Sequence, residues 1–423
     1  MASIAARPAP KRLKQQLDFS SLGIAQDLQD TIAQMGYVKP TPIQAAIIPL
    51  ALQRLDLVGQ ARTGTGKTAA FAIPILQNLD LSQTQRPQAL ILAPTRELAV
   101  QVAGEFERIA AGTKIEVLTL YGGKPMKPQI NRLHKGTSVI VGTPGRVLDH
   151  LKRGTFDPSA LRCVVLDEAD RMLDIGFRPD IERILRQCPA RRQTLMFSAT
   201  LPGPIKQIAK LYMYQPKLLN FSGDGIAGDT IDQYYLRVHH EMKFDALLKL
   251  IEREEPKQAI IFCRTRLRTE WLYRKLLKAG VLQGVGTIHG DLSQGARDQA
   301  MGQFRSGEIN FLVATDVVGR GIDVSNISHI INFDVPEASD DYVHRVGRTG
   351  RAGRSGVAFS FFEPVQSSDL ANIEKLINST LENDPLQTWI DELTEQELGI
   401  APSDPSTSSG RGRGRGRRHR RAL

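Results

Sequence analysis

Two short segments hold the residue types that phosphoryl chemistry needs. The first is Ala61-Arg62-Thr63-Gly64-Thr65-Gly66-Lys67-Thr68, set between the apolar run Asp56-Leu57-Val58 and a helical pattern. A glycine-rich turn in that place lets backbone N–H groups and a helix N-terminus cradle phosphate oxygens. Lys67 then neutralises charge at the β and γ phosphates, and the Thr68 hydroxyl is a Mg²⁺ ligand. Ala61 departs from the general pattern, which begins with glycine. The second segment is Asp167-Glu168-Ala169-Asp170, closing the apolar run Cys163 to Leu166. Its carboxylates fall at the C-terminal edge of a sheet, where open α/β folds bind ligands. Asp167 is expected in the Mg²⁺ shell, and Glu168 is suited to orient and deprotonate an attacking water. Alone, the segment would read as acids at a helix N-terminus, which that dipole end favours. With a phosphate loop upstream, an ATP site is the better account.

Positioning these residues requires a particular kind of scaffold. Short apolar runs recur at Ala89 to Leu92, Ile115 to Leu118, Val139 to Val141 and Thr194 to Phe197, with helical patterns between them. Continuous apolar strands separated by helices imply a parallel sheet covered on both faces. The alternation breaks at residues 221–229, three glycines and two aspartates in nine residues, which reads as a linker. A second series follows: Gln258 to Phe262, Gly286 to Ile288, Asn310 to Ala314, Ile330 to Phe333 and Val357 to Ser360, with a helix over Arg266 to Ala279. The expected organisation is a basic extension (1–18), an α/β domain (19–220), the linker (221–229), a second α/β domain (230–380), a C-terminal extension (381–404) and an Arg/Gly-rich tail (405–423). Asp369 to Leu381 reads as helix-like, and that stretch and the segment Gln387 to Leu398 either pack or dock a partner.

A chain of 423 residues exceeds the usual single core, which agrees with two domains. Its 41% hydrophobic and 24% charged residues suit a globular protein, and no run reaches the ~18 apolar residues of a membrane span. The N-terminus has no apolar signal core, so the expected location is cytoplasmic. Cys163, Cys188 and Cys263 show no metal-ligand spacing and are expected as buried free thiols. Of the net charge of +10, residues 1–14 carry four basic groups and residues 405–423 seven arginines, with no acid in either end. The body between them is therefore near neutral. Basic ends attract polyanions, whereas a nucleic-acid site in the body must be built from local geometry.

The ordered motifs resemble the DEAD-box family of ATP-dependent RNA helicases, in a compact bacterial-type form, over nearly all of residues 19–365. They are the loop Ala61 to Thr68, Pro94-Thr95-Arg96-Glu97-Leu98-Ala99, Gly122-Gly123, Thr143-Pro144-Gly145-Arg146, Asp167 to Asp170, Ser198-Ala199-Thr200, Ala314-Thr315-Asp316 with Arg320-Gly321-Ile322-Asp323, and His344 to Arg351. The resemblance implies two tandem RecA-like domains, each a parallel sheet flanked by helices, with a disordered basic C-terminal tail. It implies that ATP and Mg²⁺ are bound and that RNA stimulates hydrolysis. Gly36 to Gln44 looks like the family's adenine-reading segment, with Phe19 as its upstream aromatic. Tyr37, Lys39, Thr41 and Gln44 then hold the base, Gln44 through a carboxamide that offers a donor and an acceptor together. Arg62, Thr63, Gly64, Thr65 and Gly66 join Lys67 and Thr68 around the phosphates, and Asp323 is expected on the ribose. Arg348 and Arg351, three apart in a glycine-rich turn, are implied to be arginine fingers. Asp170, Ser198, Thr200 and His344 are expected to couple domain closure to RNA.

Pro94, Thr95, Arg96, Gly122, Gly123, Thr143, Pro144, Gly145 and Arg146 follow expected strands and should gather on one edge. Hydroxyls, arginines and close backbone there bind phosphates and read no base edge, so binding should be sequence-independent. The family pattern adds Arg264, Arg297, Thr315, Arg320 and Gly321 from the second domain; Arg297 also reads as an exposed helical arginine. The preference for RNA over DNA comes from the resemblance alone. The tail Gly410 to Arg421 reads as an RNA-binding or a solubilising segment; seven engaged arginines would steepen the salt dependence of binding by roughly 5 units. The expected activity is local unwinding of short RNA duplexes or remodelling of RNA–protein particles, with partners from RNA decay or ribosome assembly. An RNA clamp with the same ATP cycle and an ATPase acting on DNA or protein are the competing readings.

Overall fold

The computed structural model describes residues 18–61, 64–83, 85–221, 231–280, 284–316, 327–350 and 355–398. Two seven-stranded sheets organise them. The first contains β1 (Leu57–Gln60), β2 (Ala89–Leu92), β3 (Val117–Leu120), β4 (Val139–Gly142), β5 (Cys163–Leu166), β6 (Gln193–Ser198) and β7 (Lys217–Asn220). Their order is β3-β4-β2-β5-β6-β1-β7. The second contains β8 (Ile231–Arg237), β9 (Ala259–Phe262), β10 (Val285–Ile288), β11 (Phe311–Ala314), β12 (His329–Asn332), β13 (Gly356–Phe362) and β14 (Glu382–Asn383), in the order β10-β11-β9-β12-β13-β8-β14. All described pairings are parallel. Most strands are buried on both faces, as their unbroken apolar runs require, and each sheet carries one core on either side.

Strand order explains why residues a hundred positions apart meet. β1, β5 and β6 lie side by side, so the phosphate loop after β1, Asp167 after β5 and Ser198 at the end of β6 share one stretch of the sheet's carboxyl edge. β2, β4 and β3 form the other half of that edge and deliver Thr95, Thr143 and Gly122. One edge therefore presents two neighbouring candidate sites.

Three strands have no counterpart in the sequence reading. β7 is an edge strand with mostly exposed side chains, and β8 mixes polar and apolar residues and is largely half-buried, so neither shows a continuous apolar run. β14 is two residues long, and it brings the start of the segment assigned to a C-terminal extension into the second sheet. The helices Ser367–Ile377 and Gln387–Leu398 pack on the second domain, burying Leu370, Ile373, Ile377 and Ile390. Cys163, Cys188 and Cys263 are free and buried, and burial pushes each thiol's pKa up. Residues 222–230 and the tail lie outside the described residues.

Candidate active site and nucleic-acid cleft

The phosphate loop closes on a residue that must be glycine. Gly66 caps the helix Lys67–Gln77 with φ of 88°, and a Cβ there would sit 2.6 Å from Gln44 Nε2. Lys67 opens that helix and is buried; its Nζ donates to Ala61 O at 3.2 Å and lies 3.9 Å from Asp167 Oδ1. Asp167 is pushed up to about 6, chiefly by burial and further by Glu168, against the pull of Lys67. Glu168 is buried in the left-handed region with φ of 50°. A non-glycine residue held there costs on the order of 1–2 kcal/mol, a sign that tertiary contacts aim this carboxylate. Arg62 and Thr63 lie outside the described residues.

Asp167 and Thr68 supply hard oxygen donors, and a divalent cation would relieve the cost of burying the carboxylate's charge. No group of three or more His, Cys, Asp or Glu that could hold a metal occurs among the described residues. The two oxygen donors of Thr68 and Asp167 fit Mg²⁺, which is held by one or two protein oxygens together with phosphates and water.

Gln44 bridges the segment expected to read adenine and the loop expected to hold phosphate. Its Oε1 accepts from Thr41 N at 2.9 Å while Thr41 Oγ1 accepts from Gln44 N at 3.4 Å, a capping box that starts the helix Pro42–Leu52. Its Nε2 donates to Gly66 O at 3.2 Å. One lone pair and one N–H of the carboxamide are left for a base edge. Tyr37 stands edge-on to Phe19, 6.1 Å between centroids, and its hydroxyl donates to Glu105. Burial and that bond raise the phenol's pKa. Lys39 is exposed beside them.

Asp170 ties the acidic segment to Ser198-Ala199-Thr200. Its Oδ2 accepts from Ala199 N (3.0 Å), Thr200 N (2.9 Å) and Thr200 Oγ1 (3.2 Å), while Ser198 Oγ accepts from Asp170 N at 3.2 Å. Gln60 Nε2 holds Ala199 O at 3.1 Å, a contact the sequence reading did not anticipate. Across the cleft, His344 lies on the helix Ser339–Val346. Burial keeps its imidazole below the usual value while Glu168 and Asp170 pull it up, so the acids of the first domain reach it electrostatically. Arg348 is buried and its Nε donates to His344 O at 3.0 Å. Arg351 and Asp323 lie outside the described residues.

Arg345, between those two, had no assigned role and proves to make four side-chain hydrogen bonds. It is fully buried, bonds Asp316 twice (2.5 and 2.7 Å), and donates to Asn332 Oδ1 (3.1 Å) and Asp334 O (2.6 Å). Arg171 was also missed. It is buried among acids from both domains, with Asp316 and Glu168 pulling against the burial that lowers its pKa. An arginine amid helical residues gives no sequence signal for either.

A cleft of about 430 Å³ follows the other half of the edge, lined by Pro94, Thr95, Arg96, Gly122, Thr143, Gly145 and Arg146. Glu97, Ile175, Phe177 and, from the second domain, Arg297 complete its walls. Gly123 and Pro144 are chain neighbours of the lining. The Arg96 guanidinium lies under Gly123, where any Cβ would strike it. Thr95 Oγ1 caps the helix Arg96–Ile109 by accepting from Leu98 N at 3.2 Å, and Arg146 Nη1 donates to Lys124 O at 3.1 Å. Three contacts join the domains here: Arg96 Nη1 to Gln294 Oε1 (2.8 Å), Arg297 to Glu97 (3.8 Å) and Lys124 to Asp298 (3.7 Å). Arg297 is thus a cleft residue and not a free helical arginine. Arg264 is exposed, with Nη2 on Val335 O at 3.4 Å, and Thr315 is buried. Arg320 and Gly321 lie outside the described residues.

Comparison with known proteins bears on the family and the fold. Residues 41–208 match the DEAD/DEAH box helicase family and residues 242–353 the helicase conserved C-terminal domain. The DEAD-box ATP-dependent RNA helicase CshA of Geobacillus kaustophilus is 47% identical over 384 residues, 90% of this chain and 81% of that protein. The ATP-dependent RNA helicase CshA of Listeria monocytogenes is 42% identical over 90% of this chain and 73% of its own. S. cerevisiae Dbp5 bound to RNA and ADP BeF3 superposes with a TM-score of 0.80 at 34% identity, over 90% of this chain and 98% of that one. Mss116p bound to ssRNA and AMP-PNP gives a TM-score of 0.80 at 29% identity, over 93% of this chain and 84% of that one.

Proposed function

Because the chain belongs to the DEAD-box family and is an ATP-dependent RNA helicase of two RecA-like domains, we propose that it hydrolyses ATP at the β1-β5-β6 end of the first sheet while RNA lies along the β2-β4-β3 end. The observation that carries this division is the junction of the two sites. Lys67, Asp167 and Glu168 form one buried cluster within electrostatic reach of His344 of the second domain, and the adjoining cleft is bridged by Arg96 to Gln294 and by Glu97 to Arg297.

In this reading the backbone of Gly64 to Thr68 and the Lys67 ammonium hold the β and γ phosphates. Mg²⁺, held by Thr68 and Asp167, would neutralise charge developing on those phosphates. Gln44 reads the adenine edge, with Tyr37 and Phe19 packed beside it and Lys39 and Thr41 flanking it. Glu168, set by its left-handed backbone, orients the attacking water and takes its proton. Arg348 and Arg351 approach from the second domain as fingers on the transferring phosphoryl group, a contribution of ~10³ to 10⁵ in rate. Asp323 is assigned to the ribose. Asp170, bonded to Ser198 and Thr200 and within electrostatic reach of His344, transmits closure between the sites together with them.

On the nucleic-acid side, Thr95, Arg96, Gly122, Gly123, Thr143, Gly145 and Arg146 take phosphates and ribose from one domain. Arg264, Arg297, Thr315, Arg320 and Gly321 take them from the other. Closure around one bent strand excludes its complement, which separates short duplexes. We place this activity in the cytoplasm; no helix among the described residues is long and apolar enough to cross a membrane.

The test is ATP hydrolysis by the wild type and by Glu168→Gln, each with and without single-stranded RNA. RNA should stimulate the wild type, while the variant binds ATP and RNA yet hydrolyses at least ~10²-fold more slowly. A variant as active as wild type would remove Glu168 from the mechanism.

A further inference from the structure

Outside the cleft, one helix carries an outer face that neither the core nor the ATP cycle uses. The helix Arg266–Ala279 begins two residues after Arg264, at the carboxyl end of β9, capped by Thr265 Oγ1 on Arg268 N. Its inner side buries Thr269, Leu272 and Leu276. Its outer side shows Leu267 (75% exposed), Trp271 (40% exposed), Arg274, Lys275 and Lys278, spaced as a single stripe of successive turns. With Glu270 they line a groove of about 450 Å³ that runs ~17 Å along the helix.

Each component has a settled position. The Trp271 ring is braced by Phe244 and Phe333, both 6.4 Å away between centroids, and by the Arg268 guanidinium 4.2 Å from its own. Glu270 is taken up by Arg274 at 3.0 Å and His289 at 3.4 Å. Lys275 and Lys278 have no carboxylate partner among the described residues; the Lys275 ammonium lies 3.9 Å from the Phe244 ring centroid. Arg266 bonds Asp291 at 2.5 Å, in the loop that leads to the helix of Gln294 and Arg297. The stripe therefore starts at the rim of the RNA cleft and leads away from it.

We propose that this face is a second RNA site, a strip that takes up the single strand where it leaves the cleft past Arg264. This rests on the reading of the cleft as the RNA site. A rigid, half-exposed tryptophan followed by cations that no carboxylate neutralises is the combination that holds single strands, by base stacking and phosphate neutralisation without sequence choice. A groove of this chemistry would also suit an acidic peptide with an apolar anchor. Continuity with Arg264 and Arg266 favours the nucleic acid.

The experiment measures binding of the full chain, with a non-hydrolysable ATP analogue, to an oligoribonucleotide of about 6 nucleotides that fills the cleft and to one of about 20 that overruns it. Trp271→Ala should weaken the long RNA by about tenfold and leave the short one unchanged. The exposed double variant Lys275→Glu/Lys278→Glu, which leaves Trp271 its contacts with Phe244, Phe333 and Arg268, should weaken the long RNA alike. Lys275→Gln/Lys278→Gln should lower its salt slope by about 1.4. Tryptophan emission should be quenched by the long RNA more than by the short one. Unchanged long-RNA affinity in every variant overturns the strip, as does an equal loss for both RNAs. Failure of the wild type to bind even the short RNA would instead overturn the cleft reading beneath it.

Discussion

Replacing Arg345 by lysine isolates what a buried fork contributes that a buried charge alone does not. Arg345 reaches four acceptors at once: both oxygens of Asp316, Asn332 Oδ1 and Asp334 O. A lysine ammonium can keep its ion pair with Asp316, but from one point it cannot span to Asn332 and Asp334. Two hydrogen bonds from a charged donor are then lost, at about 1.5–3 kcal/mol each, and partial relaxation brings the expected cost to about 3 kcal/mol. For a domain of this size that lowers the Tm of the second domain by roughly 6–12 °C, followed by scanning calorimetry. Function should follow stability, because the helix Ser339–Val346 carries His344 and leads straight into Arg348. Loosening it should lower kcat for RNA-stimulated hydrolysis more than it raises KM. A cycle with Asp316→Asn should give a coupling energy above about 1.5 kcal/mol. A Tm within about 1 °C of wild type together with unchanged kcat would refute the argument.

Gly66→Ala should raise KM for ATP at least about tenfold, since the left-handed backbone and the nearby Gln44 amide both oppose a Cβ; nucleotide titration reads it. Asp170→Ala strips the acceptor from Ala199 N, Thr200 N and Thr200 Oγ1, and should cost about 2–4 kcal/mol and reduce strand release more than RNA-independent hydrolysis. Equal losses in the two assays would remove Asp170 from coupling. His344 is depressed by burial, so the folded state resists its protonation, and the stability gained from keeping it neutral is lost as pH falls below the ordinary histidine value of about 6.5. The stability gap between wild type and His344→Asn, from denaturation midpoints, should therefore narrow between about pH 8 and pH 5.5. A constant gap would show that His344 already titrates normally.

The candidate ATP site was legible because it is local. A phosphate loop is a contiguous strand, turn and helix start, and the residue types of Gly64 to Thr68 and of Asp167 to Asp170 suffice to propose their tasks. The parallel sheets were legible for a similar reason, since strands buried on both faces must be apolar throughout. The exceptions follow from the same physics: β7 and β8 are partly exposed and β14 is very short, so none needed an unbroken apolar run.

Other features arise only once distant segments meet. Strand order sets β1, β5 and β6 together and divides one sheet edge into two sites. Nothing local announces the left-handed backbone of Glu168, which its surroundings impose. The network of Arg345 joins residues from separate strands, and the pairing of Arg96 with Gln294 crosses between domains. The sequence by itself determined which groups can do chemistry and that two α/β units present them. The tertiary structure decided which groups face one another, because contacts between remote segments depend on strand order and domain placement, which no local pattern encodes.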